Sequence, residues 1–163
     1  MKKIINLIIS IVLLIGFSSC SGYKPVFDLT GFQFKIENYS LAGDKRTAKQ
    51  IYYQLYNLSK TNSEDSKSIS IAIDASKSKN STSKNLAGEI LEYNISLTVD
   101  IVVKDFLTDE IILIDTFDSS SSYKVQDQHS DTIKLENKII EDLINKTYQQ
   151  LLIKLSENIK KSW

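Results

Sequence analysis

One cysteine, one proline, one histidine, one tryptophan and five glycines in 163 residues leave little material for active sites, metal centres or tight turns. Cys20 and His129 are each alone of their kind, so a His/Cys metal site lacks ligands, and a thiol-imidazole pair would have to be these two residues, which is ruled out if Cys20 carries lipid. A Ser-His-Asp triad would have to recruit His129. That residue lies in a polar link near Asp127 and Asp131, no serine sits in a nucleophile elbow, and it reads as a solvated loop or helix-start histidine. The scattered glycines build no phosphate-cradling loop, since the turn holding Gly43 has only one. Adjacent carboxylates such as Asp109 with Glu110 and Glu141 with Asp142 read as turn and solvated-helix residues, because neighbours along a helix do not face one another. Charge of one sign is lacking too: 20 basic residues meet 20 acidic ones, and nothing suggests the concentrated basic face that a nucleic-acid binder needs. The expectation is a protein that is not an enzyme, holds no cofactor or metal, and contacts no nucleic acid.

What is present begins at the N-terminus. Lys2 and Lys3 precede an apolar run, Ile4 to Phe17, interrupted only by Asn6, Ser10 and Gly16. As a helix its 14 residues would rise about 21 Å, short of the roughly 30 Å hydrocarbon core, so a signal sequence is expected in place of a spanning helix. Phe17-Ser18-Ser19-Cys20 resembles the bacterial lipobox, in which small residues let the signal peptidase approach the backbone before the cysteine that becomes lipidated. Phe17 stands where leucine is usual, and the plain alternative is a lone thiol after an ordinary signal peptide. Ser21 follows the cysteine, where aspartate would resemble the signal for inner-membrane retention in an enteric bacterium, so the expected location is the outer membrane. The expected organisation is a lipoprotein signal peptide over 1–19, a lipidated tether over 20–30, and a single domain over 31–163. Removing 19 residues leaves 163 − 19 = 144, enough for one real core, and that core has no disulfide if Cys20 carries lipid.

Along the mature chain the periods are those of an α+β domain. Phe32, Phe34 and Ile36 alternate with polar residues as a strand, and Asn38 to Gly43 reads as a turn. Asp44 is a candidate N-cap for a helix carrying Ala48, Ile51, Tyr52, Leu55 and Leu58 at helical spacing and stopping near Lys60. Ile69, Ile71 and Ile73 mark a second strand, while 75–85 is so polar that a flexible, water-exposed loop is predicted. The most regular pattern, Leu91 through Val103 at every second position, predicts a long half-buried strand. Lys104 to Asp109 turns it into a return strand from Ile111 to about Tyr123. Ile133, Ile140, Ile144, Leu151, Leu155 and Ile159, flanked by Ile139, Leu143, Tyr148 and Leu152, then predict one helix of about 29 residues. The order β-α-β-β-β-α suggests two helices on one face of a four-stranded, mostly antiparallel or mixed sheet, with the opposite face polar.

Three features carry contact readings beside plainer ones. Lys77, Lys79 and Lys84 are candidates for contact with a phosphorylated lipid head group, or are simply a solvated loop. Tyr52, Tyr53 and Tyr56 wrap too far around the first helix to be all core; some are candidates for a partner surface, or are core and chance exposure. The small polar run 118–122 is an edge, or a segment lying against another chain.

The chain resembles the family of LPS-assembly lipoproteins, LptE. Cys20-Ser21-Gly22-Tyr23-Lys24-Pro25-Val26-Phe27 is similar to that family's cysteine, glycine, aromatic, polar, proline, apolar, aromatic opening, with Ser21 as an extra residue. Asp44-Lys45-Arg46-Thr47-Ala48 looks like its acidic residue and arginine ahead of an apolar helix. The strand starting at Tyr93, the return strand ending at Ser122-Tyr123 and the long last helix follow in the family's order. The resemblance implies two helices on a four-stranded sheet and a role as partner and plug of the outer-membrane β-barrel, LptD, that inserts lipopolysaccharide. It also implies binding of lipopolysaccharide itself. The alternative is an auxiliary lipoprotein of a phospholipid or ABC-type transport complex, which also joins a lipobox to a small α+β domain.

Overall fold

The computed structural model describes residues 34–59 and 66–161, with only the backbone at 160 and 161. The signal sequence, Cys20, the tether, Phe32, Lys60 and most of the turn after the first helix lie outside the described residues. The elements are β1 (Phe34–Gly43), α1 (Lys45–Ser59), β2 (Lys67–Lys84), β3 (Ile90–Asp105), β4 (Ile111–Lys124) and α2 (His129–Lys161). The sheet runs in chain order, β1-β2-β3-β4, with β1 parallel to β2 and the other two pairs antiparallel. Both helices pack on one face, α1 over β1 and β2, α2 chiefly over β4.

The core forms where apolar periods meet. Ile69, Ile71, Ile73 and Ala75 of β2 and Ile95, Leu97, Val99, Ile101 and Val103 of β3 are buried on the helix side. Ala48, Ile51, Tyr52 and Leu55 of α1 and Leu143, Ile144, Leu151, Leu152, Leu155 and Ile159 of α2 close over them. At 33 residues α2 rises about 50 Å, a little longer than its period predicted. His129 is its first residue. No helix among the described residues is long and apolar enough to cross a membrane.

Two segments differ from the sequence reading, each for a backbone reason. The first strand does not turn at Asn38; it continues to Gly43. The register slips by one residue between Ile36 and Asn38, so the even positions Phe34 and Ile36 and the odd positions Tyr39 and Leu41 pair with the same helix-facing row of β2. That bulge breaks the alternation on which a strand is recognised. The predicted loop over 75–85 is also strand: β2 runs on to Lys84, and Ala75 through Ser81 pair in unbroken register with Val99 back to Tyr93. Ladder hydrogen bonds come from the backbone, so a strongly formed β3 enforces extension on a partner with polar side chains. Leu91 and Ile133, expected on buried faces, are exposed. Both lie toward the end of the sheet where the helix-facing row changes from aliphatic residues to Lys79, Tyr93 and Tyr123.

Candidate functional site

The three candidate lysines lie on β2 and not on a loop, and the fold treats them differently. Lys77 and Lys79 extend the helix-facing row beyond Ala75, opposite Leu97 and Ile95. Lys77 Nζ lies 3.1 Å from Asp44 Oδ2, while Asp44 Oδ1 accepts the Thr47 N–H at 3.2 Å, so the helix cap and the cation are one unit. Burial pushes the Asp44 carboxyl up, but the Thr47 backbone bond and Lys77 outweigh it and hold it below the usual aspartate range. Lys79 Nζ lies 2.6 Å from Glu136 Oε2 on α2, and the same oxygen accepts the Tyr123 hydroxyl at 2.8 Å. The ammonium also sits 4.2 Å from the centre of the Tyr93 ring, which stacks on Tyr123. Lys84 closes β2, is exposed, and has no ion-pair partner among the described residues. The structure therefore ties two of the three cations into the helix-sheet junction and leaves Lys84 at the far tip, next to the Asn85–Glu89 turn.

The Glu136 knot gives acid sensitivity a location. Burial works to raise the Glu136 carboxyl, but the bonds from Lys79 and Tyr123 outweigh it and hold it below the ordinary glutamate value. A carboxylate depressed in the folded state contributes stability above its unfolded pKa of about 4.3 and loses it as pH falls through the folded value. Lys79 is shifted the other way: burial lowers it, Glu136 and Tyr123 raise it more, and its contribution is lost only as pH rises through its elevated value. Glu136→Gln is therefore expected to flatten the acid limb of a urea-midpoint-against-pH profile below about pH 5. A limb identical to that of the wild type would mean the pair contributes nothing to folding.

The tyrosines divide as their faces dictate. Tyr52 is buried, Tyr56 half-buried and Tyr53 exposed, with both neighbours' ring centres 5.7 Å from that of Tyr52. Burial raises the Tyr52 hydroxyl, and the adjoining phenols add to the shift. The sequence reading missed a fourth member: Tyr39 of β1 stacks on Tyr52 at 4.1 Å while staying half exposed. The only signal for it lay across the bulge, where alternation had already failed. Between the helices, Arg46, Gln50, Tyr53, Gln54 and Glu141 border a cleft of about 590 Å³ with Ile140 and Ile144 among its walls. No three His, Cys, Asp or Glu side chains come together as a metal site among the described residues.

The helix-free face of the sheet is a graded surface. Its middle and far rows read Asp74-Asp100-Thr116, Ser76-Thr98-Asp118, Ser78-Ser96-Ser120 and Asn80-Asn94-Ser122 across three strands. Short side chains hydrogen-bond along these rows: Thr116 Oγ1 to Asp100 at 2.5 Å, Thr98 Oγ1 to Asp118 at 2.6 Å, and Asn94 Nδ2 to Ser122 Oγ at 3.1 Å. The result is low relief with dense donors and acceptors. The run 118–122 belongs to β4, an edge strand, and its inward Ser119 lies 3.4 Å from the buried Thr147 hydroxyl of α2.

A mixed four-stranded sheet with two helices on one face is a fold this chain shares with solved bacterial lipoproteins. The chain superposes on rare lipoprotein B from Shewanella oneidensis with TM-score 0.53 and 15% identity, covering 76% of this chain and 98% of that one. A minor lipoprotein from Acinetobacter baumannii gives TM-score 0.55 and 17% identity over 76% and 91% of the two chains. Lipoprotein B from Nitrosomonas europaea gives 0.55 and 18% over 79% and 85%. At these identities the likeness is one of fold. No family model matches the sequence, and no curated protein matches it.

Proposed function

We propose that this chain is a non-enzymatic outer-membrane lipoprotein that assists lipopolysaccharide assembly by binding and plugging the LPS-inserting β-barrel, LptD. The observation that carries the reading is the open sheet face: three strands of short Ser, Thr, Asn and Asp side chains that no described element covers. Such a surface suits the hydrated, polar interior of a large barrel better than an apolar partner. The lipobox-like sequence at Cys20 and the fold shared with other lipoproteins support it. Three acyl chains at Cys20, at about 0.8 kcal/mol per buried methylene, would make the anchor effectively permanent.

Detergent extraction and affinity purification of the full-length protein test this. Recovery of a large β-barrel is the expected outcome, and recovery of an ABC-type transporter would replace the reading with that of a transport accessory. Direct binding of lipopolysaccharide is a separate step, assigned to Lys77, Lys79 and Lys84. Changing all three to serine is expected to weaken binding to purified lipopolysaccharide at low salt, with Lys84→Ser alone giving part of the loss. Unchanged binding by the triple variant would remove the lysines from the mechanism.

A further inference from the structure

The polar face just described does not extend to both ends of the sheet. At the end where β1 begins, Ile111 pairs with Lys104, and Ile114 with Val102, on the helix-free side. Ile111 is 59% and Ile114 63% exposed, and beyond them the β3–β4 turn presents Phe106 at 47% and Leu107 at 85%. Four large apolar side chains in open water on one short hairpin end are more than scattered surface exposure requires. The turn is held firmly. Asp105 Oδ1 accepts the N–H groups of Leu107 at 2.9 Å and Thr108 at 3.0 Å, the Asp105 carbonyl accepts from Asp109, and Asp109 takes φ 59°. Phe106 is fixed from the other side by its N–H, which donates to the Ser68 carbonyl at 3.0 Å.

The position of this tip says what it meets. Phe34, the first residue of β1, pairs with Lys67, beside the Ser68 that holds Phe106. At about 4.8 Å per strand spacing, the start of β1 and the tip are roughly 10 Å apart. The other hairpin tip, carrying Leu86, lies at the far end of the 18-residue β2. Cys20 precedes Phe34 by 14 residues, a chain that reaches at most about 50 Å. We infer that the β3–β4 tip, through Phe106, Leu107, Ile111 and Ile114, inserts into the phospholipid interface beside the anchor and sets the orientation of the domain on the membrane. This rests on lipidation of Cys20.

The charges at this end define the lipid chemistry. Lys67 pairs with Asp105 at 3.6 Å, Lys104 with Asp109 at 3.1 Å and Lys35 with Glu37 at 2.8 Å, and Glu110 adds a further carboxylate. The tip is not cationic, so it is recruited by its apolar side chains and needs no anionic lipid. Penetration is shallow, because Asp74, Asp100 and Asp118 occupy the next rows of the same face.

The acylated full-length protein, reconstituted in phosphatidylcholine vesicles, allows a direct test, since an acylated Cys20 leaves an introduced cysteine as the sole free thiol. An environment-sensitive fluorophore is attached at Leu107→Cys or, at the other tip, Leu86→Cys, and vesicles carry nitroxide on the lipid chains. The label at 107 is expected to shift blue and be quenched at least threefold more than the label at 86, with no change on raising salt. Equal quenching at both positions in protein that still floats with vesicles would overturn the tip contact and leave the anchor standing. A blue shift at 107 without nitroxide quenching would mean that a second copy of the chain covers the tip, which also overturns it. Protein that fails to float would refute the lipid anchor and the tip contact with it.

Discussion

Gly43→Ala is expected to lower unfolding stability by about 2–5 kcal/mol, a large part of what a domain of this size has to lose. Gly43 ends β1 with φ +66°, a conformation that costs an alanine about 1–2 kcal/mol by itself. Its added Cβ would also collide with the Ala75 carbonyl oxygen and crowd the Asp74 carboxylate. That carbonyl already accepts the Asp44 N–H at 2.6 Å, so relief by moving the strand would disturb the cap of α1 and, through Asp44, Lys77. Gly88→Ala is the matched control, because its φ is +86° but nothing lies within 4 Å of the added atom. Urea unfolding of the two variants separates backbone strain from collision. Equal losses would show that β1 has room to shift at Ala75.

Leu155→Ala is expected to cost about 2–5 kcal/mol, from lost transfer energy and the cavity left behind. Leu155 is fully buried on α2, one turn from the fully buried Leu151, and the two lie in the helix's row of contacts with the sheet. Ile133→Ala on the first turns of the same helix removes a side chain that is 45% exposed, and should cost well under half as much. The ratio of the two urea midpoints' displacements measures how much of the long helix is docked. A small loss at Leu155 would mean that its C-terminal half contributes little to the fold.

These two effects lie in the scaffold, and the scaffold explains the arrangement of the candidate sites. Lys77 and Lys79 continue the register of Ile69, Ile71 and Ile73, so they face the helices, where Asp44 and Glu136 meet them. Lys84, at the end of the strand, lies past that overlap. Tyr52 is buried because the odd residues of β1 beyond the bulge turn Tyr39 onto it. One short side of the sheet is thus knotted by charged and aromatic pairs, its helix-free middle is hydroxyl-rich, and its other end is apolar.

The sequence alone determined the order of the elements and most of the buried layers. Strict alternation from Ile95 to Val103, the 3.6-residue spacing of α1 and α2, and Asp44 as the cap of α1 are local patterns, readable because side-chain direction repeats with the backbone's own period. They suffice for two helices over four strands in the order β-α-β-β-β-α, and alternation also assigns the polar residues to the opposite face. Tertiary structure decided the rest. Residues 75–84 become strand because β3 offers them a ladder, and β1 continues past Glu37 because a one-residue bulge resets its phase against β2. The pairing of Lys79 with Glu136, 57 residues away, and the approach of the Phe106 turn to the start of β1 are likewise set by strand register. Register depends on the partner strand, and no period within a single segment encodes it.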